Sequence, residues 1–145
     1  PLKPEALDGC FNFKYLKKKM INKKKNIKNL LLDQNFVSGI GNIYASEILY
    51  YSKINPEKSG NKIREEDIKK IIKFTKFVLK KAIKKGGSSI NNFRNIEGET
   101  GKFQKEFKVY DREHKKCSRN DCEGIIKKKI ISNRSTFFCK FCQKN

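Results

Sequence analysis

Acidic residues are scarce in this chain. Only 15 Asp and Glu stand against 35 Lys and Arg in 145 residues, which leaves a formal charge of +20. That imbalance exceeds what solubility requires and selects a polyanionic partner, nucleic acid first. A lysine-favouring genome accounts for the runs at 17–19, 23–25 and 127–129, but it explains lysine in place of arginine better than it explains missing acids. Apolar residues are also few, at 37%. No apolar run approaches the roughly 20 residues of a membrane span, and the start has no charged-then-apolar signal pattern. Membrane partners are therefore not expected. Internal repeats are absent, and the length suits one ordinary domain or two small ones sharing a core.

The periodicity that is present is mainly helical. Residues 1–10, with two prolines and a glycine, read as a linker. Residues 11–20 predict a short helix and 22–25 a polar break. A second helix is predicted over 27–36, where Ile27, Leu30, Leu31 and Gln34 share a face, ending in the turn Ser38-Gly39-Ile40-Gly41. The next helix offers Ile43, Ile48, Leu49 and Tyr51 to a core and closes by Pro56. The longest period covers 65–85: Ile68, Ile71, Ile72, Thr75, Val78, Leu79 and Ala82 fall on one side. Acids crowd its first turn and lysines its last, as the macrodipole prefers, and Gly86-Gly87 supplies a stop. Residues 88–105 lack a period and predict a long loop of the kind that is often functional. Residues 107–112 predict a short extended segment.

Four of the five cysteines close the chain as Cys117, Cys122, Cys139 and Cys142, a C-x4-C-x16-C-x2-C pattern. Two close pairs separated by a hairpin can present four thiolates to tetrahedral zinc with little loss of chain entropy. Alternating residues 125–131 and 135–138 flank Ser132-Asn133-Arg134, so the unit predicts a zinc-binding β-hairpin with Arg134 at its tip. Two alternatives stand beside this. The cysteines can pair as disulfides, or His114 can replace Cys122, since His114 and Cys117 are also at ligand spacing. A reducing, cytoplasmic setting suits the metal better than disulfides. Cys10 reads as a lone thiol. Arg134, an arginine in so lysine-rich a chain, is a candidate phosphate clamp.

Three segments together resemble one family. LDQNFVSGIGNIYASE over 32–47 is similar to the helix–two-turn–helix signature of the formamidopyrimidine-DNA glycosylases. GGSSINNF over 86–93, GKFQ over 101–104 and VYDR over 109–112 resemble that family's lesion-capping loop and its continuation, and the cysteine hairpin follows in order. The resemblance covers nearly the whole chain. It implies a mainly α fold, a helix–two-turn–helix bundle over 11–112 with a capping loop at 88–105, then a small zinc-finger β-hairpin over 113–145. It also implies a bifunctional glycosylase and AP lyase acting on oxidised purines in damaged double-stranded DNA, working as a nucleoid-associated monomer in the cytoplasm. The runs 41–47 and 86–93 resemble this branch more than the related glycosylases for oxidised pyrimidines. Residue by residue, Lys28, Asn42 and Arg134 match phosphate contacts, and Tyr110 matches the region closing over an extruded base. Asn42 also suits that role on physical grounds, because an amide beside N–H groups at a helix mouth can hold a phosphate. Two departures stand out: x4 rather than x2 in the first cysteine pair, and Asp111 where the family usually has glycine.

The family's nucleophile is an amino-terminal proline followed by glutamate. Pro1 is followed by Leu2, and residues 1–7 align with the interdomain linker, so Pro1 is expected to be a cut point and no catalytic residue is expected in this chain. A free-standing zinc-hairpin nucleic-acid clamp is the alternative. Glu47 is expected to cap or brace the signature helix.

Overall fold

The computed structural model describes residues 5–84 and 107–145. The expected loop at 88–105, the Gly86-Gly87 stop and residues 1–4 lie outside them. The described chain runs α1 (Phe13–Met20), α2 (Ile27–Leu32), α3 (Asn42–Ser52), a 3₁₀ turn (Gly60–Lys62), α4 (Glu65–Lys84), β1 (Ile126–Ile131) and β2 (Arg134–Cys139). Among these residues no helix is long and apolar enough to cross a membrane.

Asn12 starts α1 by accepting the Tyr15 N–H on its side chain at 3.0 Å, the capping an asparagine does well. Leu16 and Met20, one turn apart, face inward while Lys17, Lys18 and Lys19 face water. Asn26 caps α2 in the same way. This helix is shorter than its periodicity predicts. At Asp33 the backbone leaves the helical region (ψ 111°), and the Asp33 carboxylate accepts the Asn35 N–H at 2.9 Å. That local side-chain bond offers the backbone an alternative to another helical turn. Gln34 is consequently exposed, outside the helix. A second turn follows, with Gly39 at φ +97°, a conformation that favours glycine. Helix, two turns and helix therefore sit where the motif predicts them.

Nine of the 11 residues of α3 are buried. A helix covered on nearly every side is a central one: α1 packs on α4, while α2, α4 and β2 all pack on α3. The main core runs from Ala6 through Leu31, Ile40, Ile48 and Ile71 to Phe107. Ala6 of the expected linker segment is buried in it and donates its N–H to Ser38 O at 2.8 Å. A second, smaller core joins Tyr50 of α3 to Val109, Ile126, Phe137 and three cysteines.

Residues 107–112 form a turn rather than an extended strand: Arg112 N–H donates to Val109 O at 3.0 Å, and Asp111 sits at φ +58°. An aspartate occupies the left-handed region here, where the family's usual glycine would sit without strain. In the hairpin, Ile126 pairs with Cys139 and Ile131 with Arg134. Only Ser132 and Asn133, both at positive φ, make the turn, matching a two-residue type I′ connection. Arg134 thus opens β2 beside the tip instead of forming it. The expected alternation fails on β2, where Thr136 to Cys139 are all buried: Phe137 and Cys139 join Tyr50 and the other cysteines in the second core, while Thr136, on the opposite face, meets Lys28 of α2.

Candidate nucleic-acid interface and metal centre

α2, the mouth of α3 and the start of β2 meet at one backbone carbonyl. Asn42, the first residue of α3, donates its side-chain amide to Ser135 O at 3.0 Å. Lys28 of α2 reaches the same strand, donating to Thr136 Oγ1 at 2.5 Å and lying 3.4 Å from Ser135 O. Arg134, the neighbour of Ser135, is exposed. Sequence positions 28, 42 and 134 are therefore drawn to one point. Lys28 is not a solvated lysine; it is fully buried. Burial, then the nearby Arg134 charge, push its ammonium down to about 8. Asn29 ties the same helix to the hairpin turn by donating to Ser132 Oγ at 2.8 Å. Among the described residues, the buried Asn42 side-chain oxygen has no hydrogen-bond partner. The amide keeps a second N–H, and the ammonium a third, beyond these bonds. The arrangement can present several donors and cationic charge to an anion lying along β2.

Glu47, one and a half turns along α3, is buried. Its carboxylate accepts three consecutive backbone N–H groups: Lys108 at 2.7 Å, Val109 at 2.9 Å and Tyr110 at 3.0 Å. It braces the segment that leads into the hairpin, not the signature helix itself. Tyr110, held there by its backbone, packs edge-on against Phe107 and Phe137, with ring centroids 5.8 and 5.0 Å away. Its ring thus meets Phe137 of β2, the strand that carries Arg134.

The four hairpin cysteines converge. Their sulfurs all lie within 4.8 Å of one another, with Cys117–Cys142 at 3.8 Å and Cys122–Cys139 at 3.6 Å. No disulfide is formed at these distances, and all four are free thiols. Four thiolates about 2.3 Å from a tetrahedral ion would sit about 3.8 Å apart. The donor set and spacing fit a tetrahedral metal ion, and the x4 knuckle brings Cys122 into place. His114 is exposed and outside the cluster. Gly124 permits the geometry: a Cβ there would meet Cys139 Sγ at 2.6 Å and Phe141 Cβ at 2.8 Å. Cys10 is exposed and does not belong to the cluster.

Two contacts to this centre were not anticipated from the sequence. Tyr50 Oη lies 3.1 Å from Cys117 Sγ. Arg119, inside the wide knuckle, donates to Cys142 Sγ at 2.8 Å and to Tyr50 O at 2.7 Å. Its signal was faint but present: like Arg134, it is an arginine where lysine dominates. Gln143 was silent in the sequence, yet it is fully buried and bonds Cys139 N–H, Ile54 O and, through its own carbonyl, Asn55.

A helix–two-turn–helix unit with donors at its second helix mouth, seated on a four-thiol hairpin in a +20 chain, defines a nucleic-acid-binding protein with a metal-ready finger. Residues 2–94 match the family model described as the formamidopyrimidine-DNA glycosylase H2TH domain, and the chain belongs to this family. It is 44% identical over 143 residues to formamidopyrimidine-DNA glycosylase of Prochlorococcus marinus subsp. pastoris, covering 99% of this chain and 48% of that protein. The enzyme of the same name from Rickettsia bellii is 45% identical over 140 residues, covering 97% and 50%. Among solved structures, Lactococcus lactis formamidopyrimidine-DNA glycosylase bound to DNA containing an abasic site aligns with a TM-score of 0.85 and 40% identity, covering 99% of this chain and 51% of that one. The same enzyme with Fapy-dG-containing DNA gives a TM-score of 0.84. The chain spans about half the length of the curated relatives it matches. The free-standing clamp is not favoured by these comparisons.

Proposed function

We propose that this chain is the C-terminal, DNA-gripping portion of a bifunctional DNA glycosylase and AP lyase that removes oxidised purines, 8-oxoguanine and formamidopyrimidines, in base excision repair. The observation that carries the reading is the meeting of Lys28 and Asn42 at Ser135, beside the exposed Arg134. Their donors suit the phosphates flanking a damaged nucleotide, and phosphate contacts help offset the few kcal/mol of unstacking that base extrusion costs. Tyr110 packs on Phe137 of the same strand and forms part of the region closing over the extruded base. Chemistry is assigned to no residue of this chain; a catalytic domain with an amino-terminal proline supplies it.

Zinc is the metal the four thiolates suit best, held by Cys117, Cys122, Cys139 and Cys142. When bound there, it would supply a cross-link between the two cysteine pairs that flank the hairpin carrying Arg134. The protein acts as a monomer on damaged double-stranded DNA in the cytoplasm. The test is binding of this chain to duplex with and without a tetrahydrofuran abasic analogue, alongside Asn42→Ala. Wild type is expected to prefer the analogue duplex, and the variant to lose that preference. Equal affinity of wild type for both duplexes would sink the assignment. Borohydride trapping of the full-length protein on a lesion duplex checks the lyase step.

A further inference from the structure

Arg119 links the cysteine finger directly to the signature helix. Its guanidinium carbon lies 4.1 Å from the centre of the Tyr50 ring, stacking on it. One nitrogen donates to the Tyr50 carbonyl at 2.7 Å and another to Cys142 Sγ at 2.8 Å. Tyr50 belongs to α3, is almost fully buried, and places its own hydroxyl 3.1 Å from Cys117 Sγ. One sulfur from each cysteine pair is thus gripped by a Tyr50–Arg119 unit rooted in α3. Arg119 lies among the four residues between the first pair, Ser118 to Asp121, where the chain turns and Cys122 N–H donates to Arg119 O at 3.2 Å.

Four thiolates around one divalent cation carry excess negative charge in a site where three of the cysteines are buried. A planar, permanently charged donor fits this demand better than a lysine would, because it can stack on the ring and direct two N–H groups at once. Partners outside the ligand shell commonly orient ligands and set metal affinity. From this geometry we propose that Arg119 is a positioning residue for the metal centre: it balances thiolate charge at Cys142 and, through Tyr50, locks the loaded finger to α3. The proposal rests on the zinc reading above.

The experiment uses the full chain loaded with zinc, and separately with cobalt(II), as wild type, Arg119→Ala and Arg119→Gln. Wild type must first take up one metal per chain; failure at that step would count against the zinc reading, not against Arg119. Zinc transfer to a chromogenic chelator is then timed. Arg119→Ala is expected to release zinc at least about tenfold faster, the scale typical for loss of such a partner. The sulfur-to-cobalt charge-transfer band is expected to shift to lower energy, because a thiolate without its N–H donor gives up an electron more easily. Arg119→Gln keeps a donor without the charge and should fall between the two. Wild-type release rates together with an unmoved band in Arg119→Ala would overturn the proposal. Should Arg119→Ala fail to fold, Arg119→Gln decides alone, and release at the wild-type rate would be the overturning result.

Discussion

A buried ammonium makes Lys28 sensitive to its surroundings in a way surface lysines are not. Its pKa falls from 10.5 to about 8 in the folded chain. Between those values the native state binds fewer protons than the unfolded one, so this residue's contribution makes stability rise as pH climbs through that window. A bound phosphate reverses the bias, since negative charge favours the ammonium form. DNA binding above pH 8 should therefore take up a proton. Affinity measured by fluorescence anisotropy at constant ionic strength should weaken from pH 8 upward, and Lys28→Met should flatten that dependence; parallel curves would remove Lys28 from the linkage. Glu47 makes a different prediction. Glu47→Ala leaves three backbone N–H groups without their acceptor. It should lower unfolding free energy by at least about 3 kcal/mol in a denaturant titration, because each stranded donor costs about 1–3 kcal/mol.

Among the elements, the hairpin is the one whose stability a metal at the four cysteines would govern. Its small core consists largely of cysteines and a few apolar residues, whereas the helices share the larger core from Ala6 to Phe107. Chelation should unfold residues 113–145, seen as loss of amide protection there, while far-UV helical signal largely persists. Gly124→Ala should mimic part of this by forcing a methyl against Cys139 Sγ, and should weaken metal binding measured by chelator competition. The hairpin also tells two cations apart. Arg134 sits beside the Lys28–Asn42 meeting point, but Lys128 lies over the Phe137 ring, 5.9 Å from its centroid. Arg134→Ala should weaken duplex binding by about 1.5–3 kcal/mol, the worth of a charged hydrogen bond, and Lys128→Ala by less. Equal losses would reduce Arg134 to generic charge.

For the molecule as a whole, the +20 charge predicts binding that falls steeply with salt, because each phosphate neutralised releases counterions. Removing one phosphate-contacting cation should reduce the slope of log affinity against log salt by about 1; an unchanged slope in Arg134→Ala would argue against its contact. Much of this was legible beforehand. The turn chemistry at 38–41, the cysteine pairs and the period of α4 are local signals, readable because helices, turns and close ligand pairs arise from neighbours in sequence. The apolar spacing of α2 continues past Asp33 and predicts a longer helix, while the side-chain bond that ends it leaves no periodic trace.

Charge, the helix–two-turn–helix register and the four thiols were determined by the sequence alone, since each rests on residues near one another in the chain. The burial of Lys28 against a strand 108 positions away, the Glu47 brace on 108–110, and the Arg119–Tyr50 grip were decided only by tertiary structure. Those contacts join distant segments, and no local pattern encodes which carbonyl, amide or sulfur a side chain will meet once α3 is enclosed.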